Sequence, residues 1–159
     1  MASHVDKDPV RAYETVLNTE GPAGLQFLNA RVPHRYSAVY RLDKGVLHNL
    51  YVFDKQGEVV PEFLEAVPLQ DSFCQFVLRE GLFRTVGTAQ DTRLDGHKYQ
   101  GAIGSYHGLP VMDNFGELFG TICHFDTEPL AMADQEFHVL TQAAKILPRY
   151  LNKAPVRLA

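Results

Sequence analysis

The sequence predicts an α+β domain in which helices pack on a mainly antiparallel sheet. Residues 36–42 alternate in polarity before a short turn and a second strand, and the stretches 106–112 and 117–125 are apolar runs on either side of another turn, as two strands joined by a hairpin are. Apolar residues recur at helical spacing near both ends of the chain. With 159 residues, of which 45% are hydrophobic and 21% charged, we expect one globular domain over 1–159.

Two helices are predicted at the N-terminus. Asp8-Pro9 is typical of an N-cap residue followed by proline at the first helical position, and a helical repeat then runs to Gly21. Pro22 can open a second helix, which Pro33 ends because proline disfavours helical geometry in the residue before it. The chain is divided into an N-terminal helical extension, a core and a tail, with the bounds 1–21, 22–151 and 152–159.

The first hairpin is predicted directly after these helices. Residues 36–42 alternate in polarity, Asp43-Lys44-Gly45 supplies a turn, and a second strand covers 46–53. The stretch that follows contains Pro61 and Pro68 among acidic residues. We expect an irregular connection there.

A helix, a short strand and a loop are predicted in the middle of the chain. Residues 72–78 show helical spacing, and Gly81 stands where a left-handed residue ends many helices. A short strand is expected at 83–86. The segment 91–104 carries three glycines among polar residues, which is typical of a loop with one helical turn.

The second hairpin joins strands at 106–112 and 117–125 through a tight turn. Its register has two alternatives. A three-residue loop at 114–116 puts His107 opposite Cys123, whereas a four-residue loop places His107 and His124 diagonally on one face. The sequence favours the three-residue loop.

A long helix is predicted from about Asp134 to Leu151. One apolar row is expected to face the core: Phe137, Leu140, Ala144, Leu147 and Leu151. A second apolar row lies opposite, and a helix that is apolar on two sides must bury both. We therefore predict a homodimer interface, shared with the first helix, at Val139, Ala143, Ile146 and Tyr150.

The charge pattern argues against two classes of partner. The net charge is −4 and lysines and arginines are scattered singly, so no basic stripe is available to nucleic acid. Residues 1–8 are polar, and no apolar stretch approaches the ~20 residues of a membrane span. Two cysteines, Cys74 and Cys123, without a secretory signal predict reduced thiols. We expect a cytoplasmic protein with neither a nucleic-acid nor a membrane partner.

Several segments together resemble a bacterial GAF domain. The strongest likeness lies in Ser105 to Val111, in the turn Asp113 to Gly116 and in Leu118 to Pro129. Upstream, Ser72-Phe73-Cys74 and Asp91 to Asp95 are similar to the helix and the acidic loop of the same family.

The resemblance covers roughly Leu25 to Leu151 and implies a GAF-like (profilin-like) fold. Such a fold has terminal helices on one face of the sheet and a roof of short helix and loop over a ligand pocket on the other. Members of the family bind cyclic nucleotides, haem, bilins and small metabolites, so the resemblance leaves the ligand and any cofactor unknown. No cysteine lies in Tyr99 to Gly108, where the bilin-attaching members carry theirs, so covalent chromophore attachment is not expected there.

The candidate ligand-contacting residues are strand aromatics, polar residues of the roof loop, and thiols near histidines. Aromatic rings can stack on a planar ligand, and a thiol beside an imidazolium can become reactive or bind a metal. Ordinary packing is the alternative for each. Haem would need an axial histidine, for which His97, His107 and His124 are eligible. The candidate set is Tyr40, Tyr51, Phe53, Cys74, Asp91, Asp95, His97, Tyr99, Tyr106, His107, Cys123 and Phe125.

Three functions remain open. The first is a stand-alone sensor whose pocket binds an unidentified small molecule and whose helices act in trans on a signalling partner. The second is a thiol-dependent enzyme similar to the free methionine sulfoxide reductases, using Cys74 or Cys123. The third is a protein-interaction module with an empty pocket.

Overall fold

The computed structural model describes residues 8–19, 24–58 and 66–151. The helices are α1 (Pro9–Thr19), α2 (Leu25–Asn29), α3 (Cys74–Glu80), α4 (Asp134–Ile146) and α5 (Pro148–Leu151). The strands are β1 (Tyr36–Asp43), β2 (Val46–Asp54), β3 (Ala66–Pro68), β4 (Phe83–Thr85), β5 (Ser105–Met112) and β6 (Leu118–Asp126). Short 3₁₀ turns cover Leu69–Asp71, Thr88–Gln90 and Thr92–Leu94.

The strands form one antiparallel sheet in the spatial order β3-β2-β1-β6-β5-β4. Lys44 and Gly45, with φ of 51° and 78°, form the two-residue turn between β1 and β2, because such turns need positive φ at both positions. β3 lies where an irregular connection was predicted; three residues are too few for an alternation to show. The predicted α+β fold with an antiparallel sheet is confirmed.

Successive residues of the central strands face opposite sides of the sheet. On one side, the helix face, Val39 and Ile122 pack in a core with residues of α1, α2 and α4. On the other side, the roof face, Tyr106 and Cys123 pack in a second core with α3 and with segment 86–104, which we call the roof segment. The sheet therefore separates two hydrophobic cores.

The N-terminal helices follow the prediction in their start and depart from it in their length. α1 begins at Pro9, and Asp8 Oδ1 accepts a hydrogen bond from the Arg11 N–H at 3.1 Å. α2 ends at Asn29, short of the predicted proline stop. The Asn29 amide donates to the carbonyl oxygen of His34 at 3.1 Å, which holds the chain in a turn before β1 instead of a further helical turn.

The predicted single C-terminal helix is two helices. α4 ends at Ile146 and α5 begins at Pro148. Pro148 has no N–H to donate to the carbonyl of Ala144, and its ring crowds that carbonyl. The break follows from residues visible in the sequence.

The second apolar row of α4 is buried within the chain itself. Val139 and Ala143 are 3% and 0% exposed and belong to the same core as α1. Ile146 and Tyr150 are half-buried and pack against that core. The row needs no second copy of the chain to be buried, so Val139 and Ala143 are unavailable to the dimer interface that the sequence predicted.

The second hairpin has the three-residue loop that the sequence favoured. The Asp113 N–H donates to the carbonyl of Glu117 at 2.7 Å. Gly116 closes the loop with φ 77°, a left-handed conformation that glycine adopts without strain. Phe115 stands at the tip and is 86% exposed.

A bulge beyond this loop changes the register of the two strands. Met112 pairs with Leu118 but Val111 pairs with Gly120, which leaves Phe119 as an extra residue in β6. The shift puts His107 opposite His124. The predicted pairing of His107 with Cys123 is wrong, because a single inserted residue moves every later pair by one.

Candidate functional site

A small cavity lies between the roof face of the sheet and the roof segment. Its volume is about 40 Å³, far below the roughly 300–1,000 Å³ of typical ligand pockets and enough for only about one to three waters. We call it the roof cavity. Its lining residues are Tyr40, Leu47, Val67, Ser72, Phe73, Cys74, Tyr99, Ile103, Tyr106, Cys123 and Phe125.

Side chains fill most of the space in which the sequence predicted a metabolite-sized pocket. Leu94 of the roof segment is 1% exposed and packs in the same core as the cavity lining. The rings of Phe73 and Tyr106 meet edge to face with centroids 5.5 Å apart. The hollow that the resemblance implied is therefore present in the expected place but is much smaller than expected.

Thiols and hydroxyls meet at one point of this otherwise apolar cavity. Cys74 Sγ lies 3.2 Å from Tyr106 Oη and 3.2 Å from Thr121 Oγ1. Cys123 lines the same cavity, and its sulfur lies 3.8 Å from the carbonyl oxygen of Ala38. Two thiols from different elements thus face one small space.

Both thiols are neutral in this arrangement. Burial raises the pKa of Cys74 and raises that of Cys123 well above its ordinary value, while hydrogen bonds from Thr121 and Tyr106 oppose the effect only in part. Burial likewise raises the pKa of Tyr106. Neither cysteine is a free thiolate at neutral pH, because an unpaired charge in this interior would lose its hydration.

Gly108 makes room for the Tyr106 ring. It pairs with Cys123 across the hairpin, and a Cβ at Gly108 would lie 2.7 Å from Tyr106 Cε1 and from Tyr106 Oη. The ring therefore lies over the bare backbone of Gly108, and its hydroxyl reaches the thiol of Cys74.

We expect Gly108→Ala to displace the Tyr106 ring and to destabilise the domain by about 1–3 kcal/mol, the usual cost of overpacking. Denaturant unfolding gives the energy, and the ring-proton resonances of Tyr106, assigned with a Tyr106→Phe variant, give the displacement. Unshifted Tyr106 resonances in Gly108→Ala would contradict this account.

Six of the predicted contact residues line the roof cavity: Tyr40, Cys74, Tyr99, Tyr106, Cys123 and Phe125. Three others lie on the helix face. Tyr51 and Phe53 pack against the helix-side core, and a bulge at Leu50 in β2 shifts their pairing with β1. His107 faces that side as the partner of His124. The sheet itself separates these three from the cavity.

The polar roof residues surround the cavity without lining it. Asp91 forms an ion pair with Arg93 at 2.6 Å, and hydrogen bonds from that guanidinium lower the pKa of Asp91 to about 2. Asp95 is exposed. The His97 ring packs against Phe73 with centroids 4.5 Å apart, and its Nδ1 accepts from the Tyr99 N–H at 3.0 Å. These groups shape the roof segment rather than contact the cavity.

Thr121 is a site residue that the sequence analysis missed. It lies two residues before Cys123 on β6, so the alternation of a strand places both on the roof face. That signal was available. Val67 lines the cavity from the short strand β3, for which the sequence carried no signal.

Three buried histidines lie together on the helix face. The rings of His34 and His107 meet edge to face with centroids 5.0 Å apart, and Ser37 Oγ contacts His124 Nδ1. Burial lowers all three pKa values, to about 4 for His107 and about 3 for His124. Because His107 and His124 face away from the roof cavity, neither can be an axial ligand to a group bound there.

In the part of the chain that the structure describes, no cluster of three or more histidine, cysteine, aspartate or glutamate residues is placed to hold a metal ion. A helix long and apolar enough to cross a membrane is likewise not found among the described residues.

Solved structures are similar to this chain, although no family model and no curated protein matches its sequence. The GAF domain of an Acinetobacter phosphoenolpyruvate-protein phosphotransferase has TM-score 0.71 and 15% identity, over 94% of this chain and 93% of that one. A free methionine-R-sulfoxide reductase from Neisseria meningitidis, solved with its substrate, has TM-score 0.69 and 15% identity, over 92% and 87%. The chromophore-binding domain of a bacteriophytochrome from R. palustris has TM-score 0.71 and 11% identity, over 91% and 59%.

These proteins differ in function, and at such low identity the likeness concerns the backbone alone. They share with this chain the antiparallel sheet whose two faces are covered by helices and by a roof. The chain has the GAF fold.

Proposed function

We propose that this chain is a regulatory sensing domain that binds a small ligand in the roof cavity and acts in trans on a partner protein. One observation carries the proposal. Two thiols and the hydroxyl of Tyr106 line the cavity within an apolar interior, and the hydroxyl of Thr121 contacts one of the thiols. Buried polar groups that face an unfilled space are suited to orient a bound molecule. In the same fold, the R. palustris domain is described as chromophore-binding.

The size of the cavity limits the ligand. A molecule larger than a few atoms can enter only if the roof segment moves away from the sheet. The side chains that cover the cavity from the roof segment are Tyr99 and Ile103, and this segment is built from 3₁₀ turns and loops. Segments of this kind open locally at lower free energy than a sheet does. Binding would therefore be read out first as a change in the roof segment.

The strand β6 links the cavity to the helices. Cys123 faces the cavity, whereas its neighbour Ile122 faces the core that contains α1 and α4. A shift of β6 on ligand binding is passed to that core because the two side chains belong to one rigid strand. The helix surface is the part of the domain that we expect to report occupancy to a partner.

Native mass spectrometry of the freshly purified full chain, together with its absorption spectrum, tests the proposal. We expect an added mass or an absorption band. Cys123→Met fills the cavity and is expected to abolish the added mass, whereas Phe115→Ser, at the exposed hairpin tip, should retain it. A bare spectrum for the wild type would contradict sensing and favour an interaction module with an empty pocket.

A thiol-dependent reductase is the second candidate, because Cys74 and Cys123 line one cavity and the fold also occurs in the N. meningitidis enzyme. Their burial argues against it, since the thiolate is the nucleophile. Cys74→Ser and Cys123→Ser are assayed with free methionine sulfoxide and dithiothreitol. Turnover by the wild type that either substitution removes would establish the enzyme; no turnover, or turnover that both variants keep, would exclude it.

A further inference from the structure

Two thiols approach each other inside the roof cavity from separate elements. Cys74 is the first residue of α3, and Cys123 lies in the central strand β6. Cys74 Sγ lies 3.2 Å from Tyr106 Oη, and the Tyr106 ring lies over Gly108, which pairs with Cys123 across the hairpin. Both cysteines line the same space of about 40 Å³, so their side chains face each other across a small volume.

That space fits an ion better than it fits a metabolite. A cavity of about 40 Å³ has no room for even a small organic molecule unless the roof segment moves. A single metal ion fits within this volume. The lining is otherwise apolar apart from hydroxyls, so a ligand with strong attraction to sulfur is favoured over one that needs many oxygen contacts.

The charges of the lining residues are compatible with this choice. Among the residues that the structure describes, no aspartate, glutamate, lysine or arginine lines the cavity. A metal ion that binds to two thiols supplies the positive charge itself and displaces the thiol protons.

We propose that the roof cavity binds one soft monovalent cation, Cu⁺, in line between the sulfur atoms of Cys74 and Cys123. The proposal rests on the proposed sensing function and names its ligand class. Two S–H bonds break, two sulfur–copper bonds form, and two protons leave to solvent, so the site changes from neutral to a single negative charge. Copper stays in its monovalent state throughout, and no oxidant or reductant takes part.

Cu⁺ needs fewer protein ligands than commoner metals such as Zn²⁺. Zn²⁺ in structural sites takes four ligands from cysteine, histidine and carboxylate side chains, and among the described residues no group of three or more such side chains is placed to bind an ion. Cu⁺ prefers soft sulfur ligands and is satisfied by two of them. The paired thiols therefore select for Cu⁺ against Zn²⁺.

The hydroxyls around the thiols suit the negative charge of the loaded site. Thr121 Oγ1 and Tyr106 Oη each lie 3.2 Å from Cys74 Sγ. Hydrogen bonds to metal-bound sulfur orient it and spread its charge.

Cu⁺ titration of the reduced full chain without oxygen tests this site, with bicinchoninate as competing chelator. We expect one copper per chain, two protons released per copper, and two sulfur scatterers at the metal in X-ray absorption. Tyr106→Phe should weaken binding by roughly tenfold, and Cys74→Ser and Cys123→Ser by more than that. Phe115→Ser should bind as the wild type does.

Three outcomes would overturn the proposal. The first is Cu⁺ binding by both serine variants that is as tight as that of the wild type. The others are Zn²⁺ binding as tight as that of Cu⁺, and copper uptake without proton release. If Cys123→Ser does not fold, Cys74→Ser and Tyr106→Phe still test the proposal, because each of these substitutions is expected to weaken Cu⁺ binding. An organic mass in the native spectrum without copper binding would reject the Cu⁺ site but support the proposed sensing function. If neither experiment finds a bound ligand, both the Cu⁺ site and the sensing function are rejected.

Discussion

The domain is expected to unfold in mild acid because three neutral histidines are buried on the helix face. The pKa of His107 is about 4 and that of His124 about 3, against 6.5 for an ordinary histidine. Between these values the unfolded chain binds more protons than the folded one. Stability is therefore complete above pH 6.5 and falls as the pH drops towards 3. Since one pKa unit corresponds to about 1.4 kcal/mol, the loss reaches several kcal/mol, a large part of the roughly 5–15 kcal/mol available.

The neighbours of the cluster strengthen this expectation. Burial is the largest cause of the lowered pKa of His107 and of His124. The positive charge of Arg84 further lowers the pKa of His107, and that of Lys55 further lowers the pKa of His124. Protonation of one histidine also disfavours protonation of the others in the cluster. Arg84 Nε donates to His107 Nδ1 at 3.3 Å, so that nitrogen is an acceptor in the folded state. Protonating His107 would turn this contact into a repulsion between two cations.

Urea unfolding at a series of pH values between 7 and 4 measures the effect. His124→Asn keeps an acceptor for Ser37 but cannot titrate, so its stability should depend less on pH than that of the wild type. The matched control is His48→Gln, on an exposed residue of β2, which should leave the slope unchanged. Identical slopes in all three proteins would show that the buried histidines do not set the acid sensitivity.

Replacing Gly120 with alanine is expected to cost about 3 kcal/mol or more, or to prevent folding. A Cβ at this position would lie 1.8 Å from the Tyr40 carbonyl oxygen and 3.0 Å from Arg41 Cα. These are backbone atoms of the central strand β1, which cannot rotate away as a side chain can. The overlap is relieved only by separating β1 from β6.

Thermal and denaturant unfolding of Gly120→Ala check this prediction. Gly87→Ala is the control, because the Cβ there would meet the end of the Gln90 side chain at 3.2 Å and Pro129 Cβ at an ordinary contact distance of 3.9 Å. We expect the control to lie within about 0.5 kcal/mol of the wild type. A Gly120→Ala protein as stable as Gly87→Ala would refute the backbone clash.

The sequence predicted the features of the fold that local residues determine. Lys44-Gly45 and Asn114-Phe115-Gly116 require particular backbone angles, so both hairpins and their loops were correct. Asp8 marked the start of α1. In contrast, the three-residue strand β3 leaves too short a pattern to recognise, and the covering of Val139 by α1 depends on how distant elements pack.

The candidate site was half predictable for a related reason. Cys74, Tyr106 and Cys123 could be placed in the cavity because strand alternation and the likeness to a known fold agreed on them. Tyr51 and His107 went to the opposite face because each strand pair contains a bulge, and one extra residue reverses the side on which its neighbours lie. Bulges have no reliable sequence pattern, so such errors of face are expected in any strand-based prediction.

Cys123 and His124 are consecutive residues of β6, yet Cys123 lines the roof cavity and His124 lies among the buried histidines on the other side of the sheet. Consecutive residues share a peptide plane, so a displacement of the backbone at Cys123 also moves the backbone of His124. A change on one side of the sheet therefore reaches the other side through a single peptide unit, and needs no contact between the two cores.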